Sequence, residues 1–534
     1  MFYHLARQQL PETPTRPWCV LNLHLDHIME LFSCTTLVLA LLILFAALLF
    51  SGLLFVMVYL TYLHRKFAHI PGPKRDSFFT GNLTSLRLRV HKGSNLPEYL
   101  YDLMKEYGAV YHIFLIHRPI VLALDAPFHK EIFTTVAHIK PISGYRYLCS
   151  VLGTRFLGNG LITETVPTKH AKRRTLFNPA FHRKYLISLM DQFNFSADVL
   201  VNRLVTLADG KTEVAMLDEF NRLTLDVIAK VAFGLQLNIT EETESPFVRA
   251  MTTTLQGIQI SFRAPWKEFS PLPSDRQYRR QVAEAITFLR ETGRECVKRR
   301  LEAKRRGEDL PQDILTYILQ ASDDLEGDEN FKMEEMLDEF VSFFLAGQET
   351  TANTLAFALV ELGHHPDVMH RLKTETLAVM GDSDYAEYSD LGKLDYMMMV
   401  LKETLRLWSP AFSTSRELAY DVEVRGYKIP AGATIWLNSY VMGRNEEYFQ
   451  NALEFDPDRF KSNEDQTQYA YFPFSKGHRS CIGQPFALIE ARVILAKLLK
   501  KFNFKLVPGQ GFEILQELTL KPKGRCKNYI TLAE

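Results

Sequence analysis

The sequence predicts a mainly α-helical protein with small β-sheets, an α+β arrangement, preceded by one N-terminal transmembrane helix. Three observations carry that expectation. Leu31 to Leu63 is a charge-free run of mostly Leu, Phe, Val and Ala. Asp191 to Gln320 and Met333 to Leu362 repeat apolar residues at helical spacing. Strand-like runs are confined to short stretches such as Val110–Leu124 and Phe502–Leu532.

The anchor comes first. A hydrocarbon core needs about 20 apolar residues, so residues 31–63 span it with some to spare for tilt. The run is too long for the apolar part of a cleaved signal peptide. His64-Arg65-Lys66 follow at once, with Lys74 and Arg75 beyond. The positive-inside rule then puts the body on the cytoplasmic side, although Arg7 and Arg16 weaken the asymmetry. Residues 1–30 read as a short lumenal tail, and 64–75, with Ile70-Pro71-Gly72-Pro73, as a basic and proline-rich hinge. Residues 76–534 form the working body.

Composition narrows the classes open to that body. Of 534 residues 47% are hydrophobic, enough for a large core, and Lys+Arg and Asp+Glu balance at 62 each. No global field points to nucleic acid. The six cysteines show no paired spacing, which argues for a reducing compartment rather than a disulfide framework.

Within the body, Val110 to Leu124 reads as two strands around Arg118-Pro119, and Pro141 to Pro167 as loop. Lys169 to Arg174 (KHAKRR) is a basic cluster opening a helix. Leu217, Phe220, Leu223, Val227 and Val231 mark the buried face of another. Trp266, Phe269 and Leu272 sit in a proline-rich break, as a surface loop or a membrane contact near a substrate entrance. Inside the long helix at 333–362 lies Ala346-Gly347-Gln348-Glu349-Thr350-Thr351. A glycine there costs about 1 kcal/mol, and the threonines compete for backbone carbonyls, so the helix is expected to loosen where something approaches its backbone. Glu403 and Arg406 share one face of a helix that apolar neighbours bury and Pro410 ends. A buried pair of this kind needs further partners. Arg416 falls in an expected strand beyond Pro410.

The stretch Phe474-Ser475-Lys476-Gly477-His478-Arg479-Ser480-Cys481-Ile482-Gly483 then precedes a helical run from Gln484 to Lys501. A cysteine at a helix N-terminus has its thiolate stabilised by backbone N–H groups. The glycines permit a tight turn and close approach to a flat, bulky object. A lone cysteine is more often a small buried hydrophobe. Phe, Gly, Arg, Cys and Gly at these five positions should nevertheless arise by chance in roughly one chain in ten thousand.

These residues resemble the haem-ligand loop of the cytochrome P-450 family, Phe-x-x-Gly-x-Arg-x-Cys-x-Gly. The resemblance runs from Ile70 to the C-terminus and implies that family's fold. It implies haem b ligated by the Cys481 thiolate and electrons from NADPH through NADPH-cytochrome P-450 reductase. Ala346 to Thr350 matches Ala/Gly-Gly-x-Asp/Glu-Thr, which implies proton delivery by Glu349 and Thr350. Glu403, Arg406 and Arg459 match a structural triad that fixes the cysteine segment. Arg173, Arg416 and Arg479 are the implied propionate partners. Lys169 stands where the family's Trp-x-x-x-Arg has Trp, with a donor of its own. The basic cluster at 169–174 and Lys497, Lys500 and Lys501 imply a docking face for the acidic reductase.

Within the family the chain most resembles the cholesterol 24-hydroxylases, through Tyr440–Arg444, Tyr471–Ser475, Ala496–Leu499 and Leu518–Pro522. That implies a sterol pocket lined by Tyr145, Leu148, Ala346, Phe412, Ser415 and Thr519. Phe412 and Ser415 depart from the Trp and Phe of the pattern and imply a roomier pocket. The expected activity is sterol hydroxylation with dioxygen at the endoplasmic reticulum membrane, with lipid bilayer, sterol and reductase as partners and no nucleic acid. Two rivals stay open: a haem-thiolate isomerase or synthase that rearranges a peroxide, and a membrane-anchored sterol or haem carrier without turnover.

Overall fold

The structure, a computed structural model, describes residues 18–91, 95–237, 239, 245–323, 329–461 and 468–533. It divides into a unit ending at Lys66 and a compact unit Phe67–Glu534. The first is one helix, α1 (Trp18–Lys66). Its stretch Thr36–Lys66, of hydropathy 2.9, is long and apolar enough to cross a membrane. The tail expected over residues 1–30 is therefore helical from Trp18. No proline or glycine interrupts the chain between Pro17 and the apolar run, so nothing stops the helix from extending backwards. Residues 1–17 lie outside the described ones.

In the body, β1 (Val110–Leu115) and β2 (Arg118–Ala123) pair antiparallel with Phe114 opposite Pro119. The break expected at Arg118-Pro119 lies two residues earlier, where Ile116 takes φ 60°. Pro119 is tolerated inside β2 because the strand's parallel ladder on the other side starts only at Ile120. Residues 141–167, expected as loop, contain a helix Ile142–Cys149 and the short antiparallel pair Ser150–Val151 and Thr154–Arg155.

Helices then dominate: α2 (Pro167–Phe177), α3 (Met216–Phe233), α4 (Pro273–Arg305), α5 (Glu329–His364) and α6 (Asp395–Leu407). Strands β3 (Ser413–Glu417) and β4 (Thr434–Asn438) complete a four-stranded sheet in the order β1-β2-β4-β3. Beyond them come α7 (Gln484–Lys501) and the antiparallel pair β5 (Ile514–Gln516) and β6 (Leu520–Pro522).

The core is built around α5. Its Phe340 and Phe344 are buried against Phe233 of α3, with ring centroids 4.4 and 4.7 Å apart. Leu217, Phe220, Leu223, Val227 and Val231 are all buried, as the helical period requires. The loosening expected at Gly347 is absent, since α5 stays α-helical throughout 346–351. What approaches Gly347 is α3: a Cβ there would meet Ile228 Cδ1 at 2.8 Å. The Thr224 hydroxyl of α3 also donates to the Gln348 carbonyl at 3.0 Å. The glycine thus serves helix–helix contact.

Candidate functional site

The cysteine loop is fixed by its backbone. Cys481 N–H donates to Phe474 O at 2.8 Å. Gly477 sits at φ +68°, and a Cβ there would lie 2.1 Å from the Phe133 carbonyl oxygen, so only glycine fits. Burial pushes the Cys481 thiol up, while the N–H groups of Gly483 and Gln484 and the Arg174 guanidinium pull it down. The residue nevertheless carries accessible surface. Accessible surface on a residue that protein otherwise encloses marks an opening beside Cys481. The core helix α5, packed against α7, shows the same sign. Ala346 is exposed and Thr350 half-buried, although Leu345, Gln348 and Glu349 beside them are buried.

Around this opening the structure gathers cations. Arg416 is fully buried on β3; its Nη1 donates to Ser415 O at 2.8 Å, while among the described residues Nε and Nη2 have no hydrogen-bond partner. Arg479 gives Nη1 to Glu164 O at 2.7 Å, and burial, then Arg416, brings its pKa down to about 10. Lys140 donates to Ile162 O at 2.8 Å and lies 4.5 Å from the centre of the Tyr145 ring. Burial holds Lys140 down at about 8. Burial would raise the Tyr145 phenol, but Lys140 and Arg416 outweigh it and hold it at about 8. His170 is buried, and burial, then Arg479, Lys140 and Arg174, drive it down to about 3. Arg174 donates to Ser480 O, next to the cysteine. Among the described residues no carboxylate side chain pairs with Lys140, Arg174, Arg416 or Arg479. Two buried and two half-buried cations gathered in this way call for a multiply charged anion.

Two expected members stand elsewhere. Arg173 turns to α5, where it pairs with Glu335 and, at 3.1 Å, with Glu339. Lys169 is exposed. Their neighbours on α2, Arg174 and His170, take the inward positions. The sequence reading also missed Lys140, which sits outside any periodic segment.

Glu403 and Arg406 meet, as their spacing on one helix face requires, and Arg459 joins them. Glu403 has no exposed surface and accepts from Arg406 Nε and Nη2, each at 2.7 Å, and from Arg459 Nε at 2.9 Å. It also takes the Asp456 N–H at 2.9 Å, which roots the segment leading toward the cysteine loop.

On the α5 side, Glu349 is 3% exposed and burial raises its pKa. Among the described residues its Oε2 has no hydrogen-bond partner, and Oε1 lies 3.9 Å from Lys521 Nζ. The Thr350 hydroxyl donates to Ala346 O at 2.8 Å. Thr519 is buried and accepts from Asn353 Nδ2 at 2.8 Å. Leu520 N–H donates to Pro410 O, which ties that strand pair to the loop carrying Phe412. Tyr145 meets Thr414 Oγ1 at 3.3 Å, beside Ser415. Leu148 is packed in the hydrophobic core cluster instead.

The second basic stretch differs from expectation. Lys497 is buried and pairs with Asp198 at 2.7 Å, and Lys500 pairs with Asp384 at 3.1 Å. Lys501 alone of the three is exposed without an ion pair among the described residues.

A sequence profile described as cytochrome P-450 matches residues 71–527. The chain is 30% identical to cytochrome P-450 4d2 of Drosophila melanogaster over 463 residues, 82% of this chain and 89% of that one. It is 31% identical over 426 residues to 11-oxo-beta-amyrin 30-oxidase of Glycyrrhiza uralensis, covering 76% and 77%. Cytochrome P-450 72A13 of Arabidopsis thaliana is 29% identical over 437 residues, covering 80% and 82%. With the profile running from the proline hinge to the last strand around this cation-lined thiol, the chain belongs to the cytochrome P-450 family.

Proposed function

We propose that this enzyme hydroxylates a sterol, or a polycyclic molecule of similar size, and that the Cys481 thiolate would hold the iron of its haem. Members of the family are monooxygenases that use thiolate-ligated haem and NADPH-derived electrons passed on by a reductase. When bound, that group supplies dioxygen activation and inserts one oxygen atom into a C–H bond while the other leaves as water. The observation that carries the reading is the group of Lys140, Arg174, Arg416 and Arg479, the last two buried and the first two half-buried, around Cys481, which keeps accessible surface. Four cations without carboxylate partners fit the two propionates of haem, and Arg174 takes the part expected of Arg173.

The remaining residues position and exclude. Glu403, Arg406 and Arg459 hold the segment behind the cysteine loop. Glu349 keeps a proton to a higher pH than an exposed carboxylate, one residue from the Thr350 hydroxyl, so it can pass that proton inward. Ala346, which keeps accessible surface within the core helix, would leave room for the haem where a larger side chain would fill it. Phe412, Ser415, Tyr145 and Thr519 offer a few hydroxyl groups among apolar surface, as a largely apolar, hydroxylated substrate requires. The name of the relative 11-oxo-beta-amyrin 30-oxidase supports a polycyclic substrate. His64-Arg65-Lys66 at the end of the apolar helix support a single pass through the endoplasmic reticulum membrane, with the body and its reductase on the cytoplasmic side.

The test is the carbon monoxide difference spectrum of the reduced protein beside Cys481→Ala, followed by titration of the ferric form with cholesterol. A strongly red-shifted Soret band that the variant loses, then a low-to-high-spin change with sterol, is the expected result. Absence of the band in folded, haem-loaded protein overturns the mechanism. A good band with no spin change for any sterol removes the substrate and leaves the enzyme.

A further inference from the structure

The strand pair β5–β6 carries a charge arrangement for which the reaction so far has no use. Glu517, Thr519 and Lys521 follow one another at alternate positions through its turn and into β6. The Lys521 ammonium is bonded to Glu517, and its Nζ lies 3.9 Å from Glu349 Oε1. Between the two, the Thr519 hydroxyl is held by Asn353 of α5. Glu349 is almost wholly enclosed, while the Lys521 and Glu517 side chains keep 21% and 18% of their surface exposed. One ammonium thus stands between two carboxylates, the outer one, Glu517, partly exposed and the inner one, Glu349, buried.

We propose that Lys521 is a positioning residue that sets the charge of Glu349 and couples it to the strand pair expected to touch substrate. The proposal rests on the role given to Glu349 above. A proton that leaves the Glu349 carboxyl inward leaves a carboxylate, which the Lys521 ammonium holds. That carboxylate recovers its proton from bulk water through Lys521 or Glu517, and no other bond is made or broken. Because Thr519 sits between the two charged residues, any displacement of the turn by a bound molecule changes how Lys521 is shared. Glu517 opposes Lys521: the cation favours the ionised form of Glu349 and the second carboxylate disfavours it. Glu490 of α7, also packed against α5, is buried beside Thr351 rather than Glu349. The charged groups facing Glu349 are therefore Lys521 and Glu517.

The arrangement predicts opposite effects from two substitutions, which a merely structural role would not produce. In an infrared pH titration of the substrate-free holoenzyme, the Glu349 carboxyl band is identified by its loss in Glu349→Gln. Its midpoint should rise in Lys521→Met, fall in Glu517→Gln and stay near wild type in Lys521→Arg. With reductase and cholesterol, Lys521→Met should form roughly tenfold less product per NADPH consumed, a part of the 10²–10⁴ that a positioned acid supplies. Lys521→Arg should recover most of it. Equal midpoints in wild type, Lys521→Met and Glu517→Gln overturn the proposal whatever the activity, and so do midpoints that move in the same direction. A missing red-shifted carbon monoxide band in wild type instead overturns the haem-thiolate reading, and the infrared midpoints still decide the role of Lys521.

Discussion

Replacing Glu403 by glutamine isolates the value of one buried charge. The carboxylate accepts four hydrogen bonds: from Arg406 Nε and Nη2, from Arg459 Nε and from the Asp456 backbone. Glutamine keeps one carbonyl oxygen and turns an NH₂ donor toward groups that are all donors. Arg406, itself buried, would keep its bonds to the carbonyls of Gly443, Ala452 and Glu454 but lose its counter-charge. Removing one partner of a buried pair costs about 3–5 kcal/mol, a large share of the 5–15 kcal/mol that typically holds a fold together. That is about two to four powers of ten in the unfolding equilibrium. The control is Glu284→Gln, whose partner Arg280 and own side chain are 82% and 63% exposed. An exposed i,i+4 pair contributes about 0.3–0.5 kcal/mol. Urea unfolding of both variants beside wild type, at pH 7 and with unchanged slopes, measures the difference. The same Glu403→Gln sample should lose its red-shifted carbon monoxide band at milder denaturant than wild type. If Glu403→Gln falls within 1 kcal/mol of Glu284→Gln, the triad does not carry the cysteine segment and the reasoning fails.

Neighbouring arginines on α2 should behave differently. Arg173→Leu leaves Glu339 with the Leu161 N–H alone and Glu335 with Arg155 and Asn159, and should destabilise by about 3 kcal/mol in urea, whereas Arg174→Leu should cost under about 1 kcal/mol and weaken haem retention. Gly477→Ala forces a Cβ against the Phe133 carbonyl at a left-handed φ. It should cost at least about 1–3 kcal/mol and show as lost haem content in the purified protein. The Glu339 carboxyl is pushed up to about 7 by burial, from 4.5, with Arg173 pulling the other way. In that window the native state holds a proton that the unfolded chain has lost. Its contribution is thus full below about pH 4.5 and lost as pH rises through about 7. Glu339→Gln should flatten the change in urea midpoint between pH 5 and pH 8, and an unaltered pH dependence refutes the assignment.

Local pattern was enough to find much of this protein. An unbroken apolar run can only be a helix exposed to lipid or to a core, and α1 follows it. The Phe474–Gly483 loop was legible because a left-handed turn and a cysteine before a helix demand particular residues at fixed spacing. The Glu403–Arg406 pair was legible because the two share a helix face and their neighbours are apolar, whereas Arg459 entered only through the family resemblance. Ala346 and Thr350 stood out as anomalies inside an otherwise apolar helix.

Only the tertiary structure decided which of two adjacent arginines faces the site. One residue turns a helix by about 100°, so Arg173 and Arg174 point to different neighbours, and the choice depends on where α5 presents Glu335 and Glu339. Gly347 was read as a place for a ligand because its cost in a helix is visible in sequence. The helix that approaches it, through Ile228, is more than a hundred residues away. Lys140 lies in a segment with no period, and Lys521 acquires its meaning from Glu349, a residue on another element. Sequence fixes what a residue can do through its chemistry and its near neighbours along the chain. Electrostatic roles depend on charges brought within a few ångströms from distant segments, and that proximity exists only once the chain is folded.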